Sequence, residues 1–204
     1  MFRYRVPDIL RFVYPRAVWR YTPNERCIYL TFDDGCVPEV TPKVLEILER
    51  ERVKATFFCV GENVEKYPLL FEDLRARGHQ VGNHTYNHLK GIKVSFDEYL
   101  ANVENADRVI GSRLFRPPYG RVTLMQMRAL RKVYGYRIIL WDLITNDFDR
   151  NLSPKEIMQN IQKYSRNGSI VVFHDSVKAA KNMLAVLPEA IKWWKEEGYE
   201  FRTL

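Results

Sequence analysis

The chain is short of cysteine, and the few it has are badly placed for cross-linking. Cys27, Cys36 and Cys59 are an odd number in 204 residues, and they lack the spacing of a zinc knuckle or a Cys-x-x-Cys redox pair. That excludes a disulfide scaffold and a thiolate metal site, and leaves three buried free thiols of the kind found in reducing compartments. Cys36, directly after an acidic motif, is read with them as a core thiol. Glycine and proline are also scarce, ten of each, which sets aside collagen-like and low-complexity chains. No stretch reaches the ~18 apolar residues of a membrane span. The opening MFRYRVPDILRFVYPRAVWRY is broken by Arg3, Arg5, Pro7, Asp8, Arg11, Pro15 and Arg16, and it offers neither the apolar core nor the cleavage site of a signal peptide. We therefore expect no transmembrane segment and a cytoplasmic location. Residues 1–25 are expected to form an N-terminal extension packed on the domain, with a peripheral membrane contact open to residues 1–20 through their arginines and aromatics. Long basic runs are missing too. The formal charge of +7 and pI near 9.3 come from scattered groups, which argues for an anionic partner such as an acidic glycan and against nucleic acid.

What is present is an ordinary globular composition, 46% hydrophobic and 28% charged, in a chain long enough for one core. No linker or repeat interrupts it, so residues 1–204 are expected to be a single catalytic domain. Short β-rich runs alternate with helical patterns from Arg26 onward. The candidate strands are 27–32, 55–60, 80–82, 114–116, 137–141, 169–173 and 200–202. Between them lie amphipathic stretches such as TPKVLEILERE and SFDEYLANVENADRVIG, with Ser95 and Ser153 as helix N-caps and Gly78 and Gly198 as helix stops. The pattern predicts an α/β fold, a distorted, incomplete (β/α) barrel of about seven parallel strands.

Unusual polar residues cluster just past the strand ends: Asp33 and Asp34, His84 and His88, Arg116, 142–147, and His174 with Asp175. The C-terminal strand ends of such a barrel share one face, and that face carries the active site. Thr31-Phe32-Asp33-Asp34-Gly35 supplies two carboxylates and a glycine that permits a sharp turn. Alone, such a pair caps the next helix more often than it serves chemistry, and it is the other segments that overturn that reading. His84 and His88 stand four apart, a spacing that aims both imidazoles at one point if the segment makes a helical turn. Two imidazoles, a carboxylate and an open water position are the ligand set of a catalytic zinc site. Arg116, in Phe115-Arg116-Pro117-Pro118-Tyr119-Gly120, can hold a carboxylate ionised or can serve as a structural ion pair. His174 ends an apolar strand, where it is either a core histidine or a site residue. His79 reads as incidental.

Together TFDDG, HTYNH, RPPYG and the strand ending FHD resemble the polysaccharide deacetylases, carbohydrate esterase family four, in family order from Cys27 to the C-terminus. The resemblance implies a general base at Asp33 and a divalent metal, zinc above others, held by Asp34, His84 and His88. It further implies that Arg116 orients the base, that the Tyr119 backbone N–H helps form an oxyanion hole, that His174 is the general acid, and that Asp147 tunes it. One motif departs from the family: Ile144-Thr145-Asn146-Asp147-Phe148 stands where Asp-x-x-Asp-Trp is common, and Cys36 where proline is common. The implied activity is metal-assisted removal of N-acetyl groups from the amino sugars of a glycan or oligosaccharide. Two alternatives are a hydrolase of another non-peptide C–N bond, such as a cyclic amide, imide or formamide, and a non-catalytic carbohydrate-binding relative.

Overall fold

A computed structural model describes residues 4–5 and 11–204. The strands are β1 (Cys27–Asp33), β2 (Thr56–Cys59), β3 (Gln80–Asn83), β4 (Leu114–Phe115), β5 (Arg137–Ile138), β6 (Leu143–Ile144), β7 (Ser169–His174) and β8 (Glu200–Phe201). The helices are α1 (Thr41–Arg50), α2 (Gly61–Lys66), α3 (Pro68–Ala76), α4 (Phe96–Ile110), α5 (Leu124–Lys132), α6 (Pro154–Tyr164) and α7 (Ala180–Glu196). Seven strands run in the order β5-β4-β3-β2-β1-β7-β6, all paired parallel, and curl into an incomplete (β/α) barrel. β8 joins the start of β1, pairing Cys27 and Ile28 where β2, which takes Thr31 to Asp33, does not reach.

Every residue of β1 is buried, and its two faces serve different layers. Ile28, Leu30 and Phe32 enter the core shared with α1 and α7, while Cys27 and Tyr29 face Phe58, Leu114, Ile139 and Ile170 in the barrel interior. Because side chains alternate along a strand, Thr31 and Asp33 continue that inner face toward the C-terminal mouth. Both expected serine caps form: Ser95 accepts from the Glu98 N–H, and Ser153 makes a reciprocal capping box with Glu156. Thr123 with Gln126 adds a capping box that sequence reading overlooked.

The strand set differs from expectation near the open edge. The run 137–141 is a strand only over Arg137–Ile138, and the separate β6 was not anticipated. N-terminal residues fill this region: Val18 bridges Ile139 in parallel, Arg5 bridges Leu143 and Arg20 bridges Ser169, both antiparallel. Val18 thus brackets the end of β5, donating to the Ile138 carbonyl and accepting from the Leu140 N–H, both at 2.8 Å, while the Ile139 N–H still reaches the Phe115 carbonyl of β4. Among the described residues no helix is long and apolar enough to cross a membrane. The membrane contact expected of residues 1–20 falls in part on residues 1–3 and 6–10, which lie outside the described residues.

Candidate active site

At the mouth, β1 ends in Asp33, whose carboxylate is buried. Its Oδ1 accepts a hydrogen bond of 2.6 Å from Arg116 Nη1, and the same nitrogen donates to Thr31 Oγ1 at 2.8 Å. Arg116 is itself fully buried, lying over the Phe58 ring and donating to the Ile139 and Leu140 carbonyls. Burial alone would raise the Asp33 carboxyl. The Arg116 charge and hydrogen bond, with His84 and His174, outweigh it and leave Asp33 below the ordinary carboxylate range.

The next residue makes the turn. Asp34 has φ 85°, so two successive carboxylates reach the same cavity, and Asn63 Nδ2 pins the Asp34 carbonyl at 2.8 Å. Gly35 has no positive φ. Its lack of a side chain matters because a Cβ there would collide with the buried Asp175 carboxylate, which corrects the expectation that this glycine supplies the turn.

His84 and His88 do meet, their ring centroids 5.1 Å apart, but not on a helical turn. The segment is irregular, with Thr85 at φ 67° and His88 at φ 58°. Asn83 Oδ1 accepts from the Thr85 N–H at 2.8 Å and Thr85 Oγ1 accepts from the Leu89 N–H at 2.9 Å, so local side chains hold this loop in shape. Five of the six described non-glycine residues with positive φ are Asp34, Thr85, His88, Tyr119 and Asn146, all at or beside this mouth. Backbone conformations of this cost concentrate where packing over-determines them, which is characteristic of functional sites.

His84 Nδ1 lies 2.7 Å from the Arg116 carbonyl. A carbonyl only accepts, so Nδ1 carries the hydrogen and the Nε2 lone pair faces the cavity. Burial first, with His88 adding to it against the pull of Asp33 and Asp34, pushes His84 down to about 4, and it is neutral near pH 7. His88 Nε2 lies 3.4 Å and His84 Nε2 3.9 Å from Asp34 Oδ1, and one ligand atom from each residue falls within 4.8 Å of the others. Tetrahedral zinc with bonds of about 2.1 Å spaces its donors roughly 3.4 Å apart. Asp34 Oδ1 is buried with no hydrogen-bond partner, a costly state that a bound cation would relieve. The residues therefore fit a divalent ion.

Across the cavity His174 ends β7. Asp147 receives the His174 backbone N–H on Oδ2 at 2.7 Å and the ring Nδ1–H on Oδ1 at 2.8 Å. Burial works against the charged ring, but the Asp147 charge and hydrogen bond, helped by Asp34 and Asp33, raise His174 to about 9. The motif that departs from the family thus retains an aspartate in contact with His174. Phe148 packs edge-on against the His174 ring at 4.9 Å, and Ile144 lines the pocket wall. Tyr119 stands on the rim with its ring against His88, at φ 61°. Gly120 and Arg121 spend their N–H groups on Pro117 and Pro118, while the Tyr119 N–H has no backbone acceptor among the described residues.

The structure thus gathers Asp33, Asp34, His84, His88, Tyr119 and His174 around one cavity of about 550 Å³, with Arg116 directly behind Asp33 and Asp147 directly behind the His174 imidazole. Two residues grouped with them in the sequence lie elsewhere. Asp142 is bound by Arg11, Arg166 and Ser169 at the N-terminal end of β7, and Asp175 sits beneath Gly35, accepting from Thr41 Oγ1 at 2.6 Å. Cys36 is fully buried in the core with Cys59, and all three cysteines are free. His79 accepts from the Ala55 N–H, away from the site. Sequence reading missed Lys90, Arg121, Trp141 and Lys178, which also line the cavity, because surface cations and an aromatic carry no motif.

A curled parallel barrel with an arginine-held carboxylate, an aspartate-held imidazole and a two-histidine, one-carboxylate cluster converging on its C-terminal mouth has the layout of the barrel hydrolases. Comparison with known proteins gives the particular family. The family model for polysaccharide deacetylases matches residues 20–139. A peptidoglycan-N-acetylglucosamine deacetylase of Bacillus cereus is 33% identical over 199 residues, covering 92% of this chain and 91% of that protein. A chitooligosaccharide deacetylase of Azorhizobium caulinodans is 30% identical over 194 residues, covering 91% and 86%. Among solved structures, the Bc1960 peptidoglycan N-acetylglucosamine deacetylase in complex with 4-naphthalen-1-yl-N-oxidanyl-benzamide superposes with a TM-score of 0.86 at 31% identity, over 96% of this chain and 95% of that one. The chain belongs to the polysaccharide deacetylase family.

Proposed function

We propose that this protein is a metal-dependent N-deacetylase that hydrolyses the N-acetyl groups of amino sugars in a glycan or oligosaccharide. The observation that carries the reading is the opposed pair: Asp33 kept ionised by Arg116, and His174 kept protonated by Asp147, on two sides of one cavity. Amide hydrolysis needs both, a base for the attacking water and an acid for the leaving nitrogen.

Asp34, His84 and His88 would hold the metal ion, and zinc suits their two imidazoles and one carboxylate. When bound, such an ion polarises the acyl oxygen and acidifies water. Asp33 takes the proton of the attacking water through the oxygen that Arg116 leaves free. The Tyr119 N–H, which has no backbone acceptor among the described residues, would donate to the oxyanion of the tetrahedral intermediate. His174 delivers its Nε2 proton to the amine as the C–N bond breaks, and Asp147 keeps the imidazolium oriented. Acetate and a free amino sugar are the products.

The test is a panel of N-acetylglucosamine oligomers, muropeptides, cyclic imides and formamides, assayed for released acid or amine with metal content measured in parallel. Acetate release from the sugars, abolished in Asp33→Asn with metal retained and in Asp34→Asn with metal lost, is the expected result. Release only from the imides or formamides would move the activity to another C–N bond. No turnover of any substrate by the metal-loaded protein would favour a carbohydrate-binding role.

A further inference from the structure

Two anions of the site are already matched, Asp33 by Arg116 and Asp147 by His174, and the third, Asp34, faces His84 and His88 in the cluster that fits a divalent ion. The cations around the site are not matched. Lys90, Arg121 and Lys178 line the catalytic cavity, and none of them forms an ion pair among the described residues. The Lys90 and Lys178 ammonium groups lie over the Tyr119 and Phe148 rings, at 5.2 Å and 5.3 Å from the centroids, which holds them at the mouth. Beyond Lys178 lies a second cavity of about 670 Å³, for which Lys178 forms a shared wall and which is also lined by Arg150 and Lys181. Those two are exposed and likewise without an ion pair among the described residues. The carboxylate in that wall, Glu156, is engaged by the Ser153 N–H and hydroxyl, and nearby Asp149 accepts from Asn151. Exposed Val177 beside Lys178 offers an apolar surface to a sugar ring.

Unmatched positive charge along a concave path attracts anions, and a neutral glycan gains nothing from it. We propose that the substrate is an acidic glycan: the N-acyl sugar occupies the catalytic cavity, and a neighbouring residue bearing a carboxylate or phosphate crosses Lys178 into the second cavity, where Arg150 and Lys181 hold its anion. This assignment rests on the deacetylase reading above and narrows its substrate class.

The experiment measures binding by calorimetry to the Asp33→Asn protein, and turnover by the native protein. Three probes are used: the neutral N-acetylglucosamine tetramer, a tetrasaccharide of alternating N-acetylglucosamine and glucuronate, and N-acetylglucosamine 1-phosphate. At least one acidic probe should bind more tightly than the neutral tetramer, and which one does distinguishes carboxylate from phosphate. Exposed ion pairs contribute a few tenths to 1 kcal/mol each, so adding Arg150→Gln with Lys181→Gln should weaken acidic binding by about three- to thirty-fold more than neutral binding. In turnover of an acidic substrate the loss should appear in KM with kcat little changed, and high salt should mimic it. Equal binding of all three probes, or a double variant that weakens neutral and acidic binding alike, overturns the proposal. Deacetylation of the neutral tetramer without acidic preference would leave the deacetylase reading standing and the groove wrong. Salt-sensitive acidic binding with no deacetylation would do the reverse.

Discussion

Replacing Asp147 with asparagine removes one charge while keeping the shape that supports His174. The amide oxygen can still accept the His174 backbone N–H, but the NH₂ then faces ring Nδ1, 2.8 Å away, and favours the neutral ring. Asp147 is the leading cause of the raise from the ordinary 6.5 to about 9, with Asp34 and Asp33 helping it against burial, so its removal should bring the ring most of the way back toward 6.5. At pH 8 a full return to 6.5 would take the protonated fraction from roughly nine-tenths to a few per cent, so the loss in competent acid is at most about 30-fold. The assay is kcat/KM on the N-acetylglucosamine tetramer from pH 5.5 to 9.5, both proteins at equal metal loading because a divalent ion beside Asp34 takes back part of the raise. The alkaline limb should move down from about 9 toward 6.5, and the deficit should shrink toward pH 6. Stability gives an independent check. A raised folded-state value means stabilisation that is complete below 6.5 and lost as pH climbs through about 9, worth up to ~3 kcal/mol. Metal-free native protein should show that decline, and Asp147→Asn should be nearly flat. A uniform loss of activity at every pH, with the limb unmoved, would refute the argument.

Three further outcomes are expected. His84→Ala and His88→Ala should each fold, by circular dichroism, yet lose bound zinc by elemental analysis, because the cluster sits at the mouth and the core does not include it; unchanged metal content would remove these residues from the ligand set. Arg116→Met should cost about 3–5 kcal/mol in denaturant unfolding by stranding the buried Asp33 charge, and combining it with Asp33→Asn should recover part of that loss. His174→Ala should slow amide cleavage by on the order of a hundred- to ten-thousand-fold but slow aryl-acetate cleavage far less, since a phenolate leaves without protonation; equal losses with metal retained would make His174 a positioning residue instead.

Much of this protein could be read in one dimension. Buried runs such as CIYLTFD and SIVVFH identify parallel central strands because both faces are covered, and Ser95 and Ser153 mark helix starts because their side chains satisfy N–H groups the helix leaves open. The barrel followed from alternation of such elements, and the site from polar residues placed where apolar strands end. Short elements escaped: β6 is two residues long, below any periodicity, and is held by pairing with β7.

Tertiary structure decided what depends on partners distant in sequence. Whether Asp142 or Asp147 served the pocket turned on which end of the sheet each occupies, since Arg166 and Ser169 claim one and His174 the other. The tautomer of His84 is set by a carbonyl 32 residues away, and the charge on Asp33 by an arginine 83 residues away. The path of unmatched cations through Lys178 is assembled from loops that share no motif. Residue type and spacing along the chain determine which groups a segment can present. Ionisation, orientation and charge balance depend on distance and burial, and only the folded chain brings those separated groups close enough to fix them.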